Sequence, residues 1–379
     1  MSWRIPLADI DLGDEEIAAV TEVLKSKWLS MGSQTQAFED AYAQRLRVKH
    51  ALAVTNGTAA LHMACVAAGL KAGDEVIVPA LTFVATANAI RYTGAKPVFA
   101  DITGEDNLNI SPESIESKIT DKTRATLVVH YGGYPCDMPR IMEIAQKHHL
   151  VVIEDAAHAV TSELEGRYMG TWGEIGCFSF FSNKNLTTGE GGMVTTNNDD
   201  LAKKLRLIRS HGMTSLSWDR YKGHAFSYDV VDLGYNYRMD EIRSAIGLVQ
   251  LKKLDHNNTI RRQLSRFYWE MLEELAPQIG LPFKNHPGIS AAHLMPVLLP
   301  EGMDRKIFME QMKENGIQTS IHYPPIHKFT AFNKDGSQAP ANIPLTESIA
   351  LREVTLPLFA GLSNEDVQYI CETIQKILL

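Results

Sequence analysis

The segment that decides the fold is Phe178-Ser179-Phe180-Phe181-Ser182-Asn183-Lys184-Asn185-Leu186-Thr187-Thr188-Gly189-Glu190-Gly191-Gly192. It places one lysine, Lys184, between an aromatic, apolar run and a glycine-rich turn. Lysines normally lie at solvated surfaces, because the ammonium group is strongly hydrated. The neighbours of Lys184 instead predict a partly dry site, where desolvation lowers the pKa of a lysine. A neutral amine in such a site is a nucleophile toward a carbonyl group.

A second feature is the apolar run at 151–153, which ends in Glu154-Asp155-Ala156-Ala157-His158. The run predicts a buried parallel strand with Asp155 at its carboxyl end, the edge where open α/β sheets bind ligands. Enzymes that use pyridoxal phosphate (PLP) need a carboxylate beside the pyridine nitrogen, because this ion pair keeps the ring electron-withdrawing. Asp155 alone also fits a helix N-cap, and His158 alone fits an ordinary packed histidine. Together, Asp155 and Lys184 favour a PLP site.

A third segment, Val54-Thr55-Asn56-Gly57-Thr58-Ala59-Ala60-Leu61, lies between a predicted strand at 51–54 and an alanine-rich helix. Free backbone N–H groups and the dipole at such a helix start favour a phosphate. Gly57 lets the backbone approach closely, and the Thr58 hydroxyl can donate a further hydrogen bond. Any strand–helix turn shares part of this pattern, so it gains weight only beside the two segments above. The next such junction ends at Phe83, whose ring fits either a cofactor face or the core.

Strand and helix patterns alternate from about residue 50 to 200, with strands predicted at 76–78, 97–100, 125–129 and 150–153. This alternation predicts a mainly parallel sheet covered by helices on both faces. Residues 240–251 have apolar side chains at three- and four-residue spacing, which predicts a helix. We expect this helix to lead into a smaller C-terminal domain, because 379 residues are too many for one small core.

Composition excludes several classes of protein. The hydrophobic fraction of 45% and the charged fraction of 22% are those of a globular chain. The net charge of −8 offers no basic surface to nucleic acid or to an anionic membrane. The four cysteines contain no C-x-x-C pair, which indicates reduced thiols. No apolar run approaches the length of a membrane span and no signal core begins the chain, so we expect a cytoplasmic location and neither a nucleic-acid nor a membrane partner.

Other motifs carry less information. No G-x-G-x-x-G follows a predicted strand and no G-x-x-x-x-G-K-[ST] occurs in the sequence, so dinucleotide and P-loop sites lack their fingerprints. Gly189-Glu190-Gly191-Gly192 precedes a predicted strand at 193–196 and fits either backbone close to a cofactor or an ordinary hairpin. His322 and His327 lack the spacing of a zinc site, and no metal is predicted. Arg238 fits either a bidentate contact to a substrate carboxylate or a pair with a nearby acid.

As a set, these motifs resemble those of the DegT-type sugar-nucleotide aminotransferases, which are PLP enzymes of the aspartate aminotransferase fold. The resemblance extends from Trp28-Leu29-Ser30-Met31-Gly32 to Leu356-Pro357-Leu358-Phe359. It implies an α/β protein of PLP-dependent transferase fold type I, with a mainly parallel sheet between helices in the large domain and a smaller α+β C-terminal domain. We place the large domain at 13–254 and the small domain at 255–379, with residues 1–12 packed on the small domain.

The same resemblance implies a role for each matching residue. Lys184 would form the Schiff base with PLP, and Asp155 would pair with the pyridine nitrogen. His158, at a position where family members carry Gln or His, would lie near the phenolic oxygen of the ring. The remaining contacts implied are Phe83 on one ring face, Gly57, Thr58 and Ser179 at the phosphate, Asn236 at the phosphate of the neighbouring subunit, and Arg238, His322 and Tyr323 toward the substrate.

The activity implied is transfer of an amino group from L-glutamate to a nucleotide-linked keto-sugar, in bacterial amino-sugar and polysaccharide biosynthesis. The partners are then these two substrates and a second copy of the chain, in a homodimer with shared active sites. The segment 187–192 resembles that of the branch that aminates 4-keto sugars more than that of the 3-keto branch, which commonly has Asp at the position of Glu190. The alternatives are a 3-keto-sugar aminotransferase, a sugar dehydratase of the same fold, and a regulatory protein without catalysis. Lys184 disfavours the dehydratase, because that branch has histidine at this position. The segment Ser217-Trp218-Asp219-Arg220-Tyr221 is a further candidate for positioning the sugar.

Overall fold

A computed structural model describes residues 3–214, 227–333 and 342–379 of the chain. The α-helices in these ranges are α1 Asp14–Ser26, α2 Ser33–Leu46, α3 Gly57–Ala67, α4 Val84–Tyr92, α5 Pro112–Ser117, α6 Met138–His148, α7 Asp199–Arg209, α8 Glu241–Leu275, α9 Arg305–Glu314, α10 Thr330–Asn333, α11 Pro344–Arg352 and α12 Asn364–Leu378. The strands are β1 His50–Val54, β2 Glu75–Pro79, β3 Lys96–Ala100, β4 Ile102–Gly104, β5 Asn107–Ile110, β6 Thr123–Val129, β7 Val151–Asp155, β8 Glu163–Leu164, β9 Arg167–Tyr168, β10 Ile175–Ser179, β11 Gly192–Thr196, β12 Met295–Leu298 and β13 Glu353–Leu356. None of the helices within the described ranges is long and apolar enough to cross a membrane.

The main sheet has seven strands in the order β1-β11-β10-β7-β6-β2-β3. Its pairs are parallel except those made by β11, which runs antiparallel to both β1 and β10. The carboxyl ends of the other six strands therefore meet at one edge. The strands predicted from sequence at 51–54, 76–78, 97–100, 125–129 and 150–153 all lie in this sheet.

Apolar helices cover both faces of the sheet. Successive side chains of a strand point to opposite faces, so Val76 and Val78 pack with α3 and α4, whereas Ile77 packs with α2 and α6. Both faces are hence buried, and the strands are apolar throughout rather than alternating. The mixed α/β architecture with a mainly parallel central sheet agrees with the predicted fold class.

A second, smaller core is built from the C-terminal half of α8, from α9 and α12, and from the antiparallel pair β12–β13. Ile5 is buried in this core and pairs with Ile317 in a parallel bridge. The helix predicted at 240–251 is longer than its pattern indicated, since α8 extends over 35 residues. It runs continuously through positions 254 and 255, so the division of the chain at that point stays a prediction.

Candidate active site

A cavity of about 780 Å³ lies at the edge of the main sheet where the parallel strands end. The turns after β1, β2, β7 and β10 open into it, which is the expected ligand-binding edge of an α/β sheet. The predicted site residues that line it are Gly57, Thr58, Phe83, Asp155, His158, Ser179, Lys184, His322 and Tyr323. The residues that follow the parallel strands converge because those strands run in the same direction, whereas His322 and Tyr323 come from a segment outside the main sheet.

The start of α3 forms an anion cradle in this cavity. The Asn56 side chain caps the helix by accepting from the Ala59 N–H at 2.8 Å, and the first intrahelical bond joins the Ala60 N–H to the Asn56 carbonyl at 3.1 Å. The N–H groups of Gly57 and Thr58 precede that bond, so the helix offers them to a ligand. A Cβ on Gly57 would lie 2.8 Å from the Cβ of Ser179, so only glycine allows this approach.

Asp155 ends β7 and is only 5% exposed. The Thr86 hydroxyl donates to its Oδ2 at 2.8 Å, and the Ala157 N–H donates to its Oδ1 at 3.2 Å. Burial raises the pKa of Asp155, while these two hydrogen bonds and the nearby Lys184 oppose that effect. The carboxylate is therefore held in one orientation and would be stabilised by a protonated ring nitrogen.

Lys184 follows β10 and reaches the same cavity. Burial lowers its pKa from 10.5 to about 8, and the negative charge of Asp155 partly opposes this. The amine is thus neutral in a substantial fraction of molecules near physiological pH, as a nucleophile requires. The prediction of a partly dry lysine site agrees with this environment.

His158 and Tyr323 form a polar pair on one wall. The Gly132 N–H donates to Nδ1 of His158 at 3.3 Å, so Nε2 carries the proton and donates to the Tyr323 hydroxyl at 3.1 Å. Burial and the charge of Lys184 hold the pKa of His158 well below its ordinary value, and the ring stays neutral. Phe83 is 56% exposed and lies 6.0 Å from the Tyr323 ring, centroid to centroid. The ring of Phe83 therefore faces open space rather than the core.

His322 is fixed from the small core. Its backbone N–H donates to Oε2 of Glu353 at 2.8 Å, and its Nδ1 lies 2.8 Å from the Thr355 hydroxyl. Burial lowers the pKa of His322 to about 4. The side chain is consequently neutral, and it lines the cavity.

Two predicted contact residues, Asn236 and Arg238, do not line this cavity in the described part of the chain. Asn236 is exposed and pairs with Ser210 in an isolated bridge. Arg238 pairs with Val54 and does not line the cavity, and its pKa is lowered by burial and by the charge of Arg209. The segment 217–221 lies outside the described residues.

Lys184 also lines a second, smaller cavity of about 330 Å³. Arg261 lines it and is 4% exposed. Its Nη1 donates to the Leu358 carbonyl at 2.8 Å, and the side chain forms no ion pair with an acid of the described ranges. Burial lowers the pKa of Arg261 to about 10. Asp9 and Asp11 stand at the border of this cavity, with Asp11 already paired to Lys253 at 3.6 Å.

Two residues that contribute to the site were not identified by the sequence analysis. Thr86 orients Asp155, but a threonine in the first turn of a helix carries no distinguishing signal. His293 approaches Lys184, and its only signal was its position as the single polar residue in Ala291-Ala292-His293-Leu294-Met295. Both contacts join segments far apart in the chain, so spacing could not reveal them.

The residues present fit PLP by the chemistry of their donors. The cavity combines an anion cradle that a Cβ would fill, a buried carboxylate, a partly neutral amine and an aromatic ring facing open space. These match the phosphate, the pyridine nitrogen, the aldehyde and the flat ring of PLP in turn.

Comparison with known proteins agrees with this assignment. The family model described as the DegT/DnrJ/EryC1/StrS aminotransferase family matches residues 10–375. The chain is 41% identical over 383 residues to the spore coat polysaccharide biosynthesis protein SpsC of Bacillus subtilis. The alignment covers 100% of this chain and 97% of SpsC. The resemblance drawn from the sequence is thereby confirmed.

Solved structures give the same result. PseC of Helicobacter pylori, an aminotransferase involved in the biosynthesis of pseudoaminic acid, has a TM-score of 0.91 and 31% identity and covers 98% of each chain. Spr1654 of Streptococcus pneumoniae, in its form with pyridoxamine phosphate (PMP), has a TM-score of 0.92 and 28% identity and covers 99% of this chain and 100% of that one. DesI, solved in the presence of its TDP-sugar product, has a TM-score of 0.88 and 30% identity. The match covers 99% of this chain and 92% of DesI. Fold type I, PLP as cofactor and sugar aminotransferase activity are thus confirmed.

Proposed function

We propose, from the premise that this chain belongs to the DegT/DnrJ/EryC1/StrS aminotransferase family, that it transfers the amino group of L-glutamate to a nucleotide-linked 4-keto sugar. One observation carries the assignment of the catalytic residues. The amine of Lys184 and the carboxylate of Asp155 line a single cavity that ends in the anion cradle of α3. No other lysine borders that cavity in the described ranges.

We assign the roles as follows. Gly57, Thr58 and Ser179 hold the phosphate of PLP, and Phe83 covers a face of the ring. Bound PLP supplies an electron sink for the pair of electrons left when a proton leaves carbon. Asp155 keeps the ring nitrogen protonated, and His158 lies near the phenolic oxygen. Lys184 would hold the cofactor and, with its amine free, would take the proton from the donor carbon and return it as general base and acid.

The same site serves both halves of the reaction. A donor amino acid enters, leaves its nitrogen and departs as a keto acid before the keto-sugar binds, so ping-pong kinetics follow. Lys184 performs the proton transfers in both directions. The neutral His322 and Tyr323, which border the cavity from the small core, are suited to hydrogen bonds with sugar hydroxyls.

L-glutamate as donor is supported by the smaller cavity beside Lys184. Arg261 is buried there and donates to a backbone carbonyl, with no carboxylate of the described chain within ion-pair distance. A buried guanidinium without an anionic partner is costly, and a donor carboxylate would compensate it.

A nucleotide-linked sugar is supported by DesI, which was solved with a TDP-sugar product. Attack at carbon 4 is supported by Glu190, which lines the large cavity. One methylene of side-chain length moves a carboxylate by about 1 Å, and misplacement on that scale costs roughly a hundredfold in rate. The 3-keto sugar stays the alternative substrate, and dehydration is disfavoured because Lys184 is present.

A homodimer with shared sites is supported by the surface that carries Asn236. Leu233 is 74% exposed, and Val230 and Val231 are 56% and 54% exposed. Exposed apolar residues in series are typical of a surface that a partner covers. We propose that Asn236 of each subunit reaches the phosphate of the other. The cytoplasm is proposed as the location, since the four cysteines are buried as free thiols.

Product analysis tests the substrate assignment. The PLP-loaded protein is offered L-glutamate with either a 4-keto or a 3-keto nucleotide hexose, and the products are identified by NMR. Amination of the 4-keto sugar is expected. Efficient amination of only the 3-keto sugar would refute amination at carbon 4. A colourless protein that takes up no PLP would refute the assignment as an enzyme.

A further inference from the structure

The side chain of His293 contacts the amine of Lys184, with Nε2 lying 3.3 Å from Nζ. His293 is 5% exposed, and its ring packs on that of His158 with 4.5 Å between centroids. Burial and the charge of Lys184 hold the pKa of His293 well below its ordinary value. The ring is therefore neutral and has one N–H and one lone pair.

Asn185, the residue after the lysine, determines which nitrogen carries the proton. Its Nδ2 donates to the Ala291 carbonyl at 2.7 Å. Because a carbonyl can only accept, the amide nitrogen faces Ala291 and the amide oxygen faces His293, whose Nδ1 lies 2.9 Å away. His293 donates from Nδ1, and Nε2 keeps its lone pair for Lys184.

Asn258, on α8, sets the same direction from the other side. Its Nδ2 donates to the Val160 carbonyl at 3.1 Å and to the Thr161 hydroxyl at 3.0 Å. Its Oδ1 is left to accept from Asn185 Nδ2 at 2.7 Å. Two backbone carbonyls thus fix the direction of every bond that leads to the lysine. Buried chains of this kind orient a reactive group when all members are satisfied.

We propose, in a step that rests on the proposed function, that Asn185 and His293 are positioning residues that hold the free amine of Lys184 at the edge of the cavity. When the donor C–H bond breaks, its proton moves to Nζ, and its electron pair goes to the electron sink that PLP supplies. The same proton later leaves Nζ for carbon. His293 accepts a hydrogen bond from Nζ throughout and takes no proton, so the amine keeps one direction instead of sampling its rotamers.

The test uses His293→Phe, Asn185→Leu and the double variant, with His293→Gln as the conservative control. The readout is the rate at which each apoenzyme captures PLP covalently at saturating PLP, followed by visible absorbance. Well above pH 8, where the amine is fully neutral, this rate reaches a plateau. The height of the plateau therefore reports the orientation of the amine and not its protonation. Each single variant is expected to lower it roughly tenfold to a hundredfold. The double variant should fall no further, since both changes break one chain. The Gln variant should recover part of the rate, because its amide oxygen can accept from Nζ.

A second readout is the isotope effect with α-deuterated glutamate, which should rise in the Phe variant as proton transfer becomes slower. An unchanged plateau and isotope effect in His293→Phe, or single effects that multiply in the double variant, would refute the positioning role. Where the Phe variant does not fold, His293→Asn, whose shorter side chain withdraws from Nζ, is held to the same criteria. PLP capture needs neither glutamate nor sugar, so failure of wild-type transamination would refute the proposed function without deciding this inference.

Discussion

Replacing Asp155 by Asn should change two measurements in opposite directions. The negative charge of Asp155 raises the pKa of Lys184, while burial lowers that pKa to about 8. With this pKa, about a tenth of the amine is neutral at pH 7, compared with roughly 0.03% for an ordinary lysine. Removing the charge lowers the pKa of Lys184 further, and the neutral fraction at pH 7 can then rise by at most about tenfold.

Steady-state transamination should fall in the same variant, because an amide cannot keep the ring nitrogen of PLP protonated. A hydrogen bond to a charged group contributes about 1.5–3 kcal/mol, so loss of that bond alone costs roughly 10- to 150-fold in rate. Thr86 and the Ala157 N–H constrain the native carboxylate. The Thr86 hydroxyl can still donate to an amide oxygen, so the fold around position 155 should persist.

The assay mixes apoenzyme with saturating PLP in a stopped-flow instrument and records the rate of covalent capture from about pH 6 to about pH 10. The wild type should reach half of its plateau near pH 8, and Asp155→Asn at a lower pH with a faster rate at pH 7. Asp137→Asn removes a capping aspartate at the start of α6 and serves as the control for lost charge. A variant that captures PLP with an unchanged or higher midpoint would refute the electrostatic coupling. Undiminished turnover would show that Asp155 only caps its turn.

Three further changes test other parts of the site. In an equilibrium titration, Gly57→Ala should weaken PLP binding at least tenfold, because the new Cβ would lie 2.8 Å from that of Ser179. The control variant Gly104→Ala, whose Cβ meets nothing within 4 Å, should bind PLP normally. Arg261→Met should raise the KM for L-glutamate by roughly 10- to 150-fold, the range for a lost charge-assisted hydrogen bond, while PLP content stays unchanged. An unaltered KM would show that Arg261 only binds the Leu358 carbonyl and does not contact the donor. Asn236→Ala mixed with a variant lacking the catalytic lysine should regain activity, because one of the two shared sites in each heterodimer is intact; no recovery after demonstrated subunit exchange would argue against sharing.

The sequence indicated the sheet edge well, because each cofactor motif follows an apolar strand and parallel strands end together. The cluster of Gly57, Asp155 and Lys184 could therefore be predicted from pattern and resemblance before any geometry. The chain of amides behind Lys184 could not, since Asn185, Asn258 and His293 meet only through the packing of α8 against the loop after β10. Polar residues that serve one another in a core have no period and no fixed spacing.

The extent of α8 was also beyond the local pattern. Its apolar stripe first packs on the main sheet, as Leu254 does, and then on the smaller core, as Leu264 and Leu272 do. The side that must be apolar changes with the partner, so a single period describes only the first turns. Contacts that need a second subunit, such as that proposed for Asn236, lie outside what one chain can display.

The most direct test of the central claim is a single turnover with ¹⁵N-labelled L-glutamate. PLP-loaded protein, mixed with labelled glutamate and no sugar, should lose the visible absorbance of bound PLP and release about one 2-oxoglutarate per active site. A 4-keto nucleotide hexose added afterwards should then carry the ¹⁵N label in its product, and Lys184→Ala should give neither signal. Retention of the absorbance with no 2-oxoglutarate in the wild type, or equal yields from the Ala variant, would contradict the assignment of Lys184 as the residue that performs amino transfer.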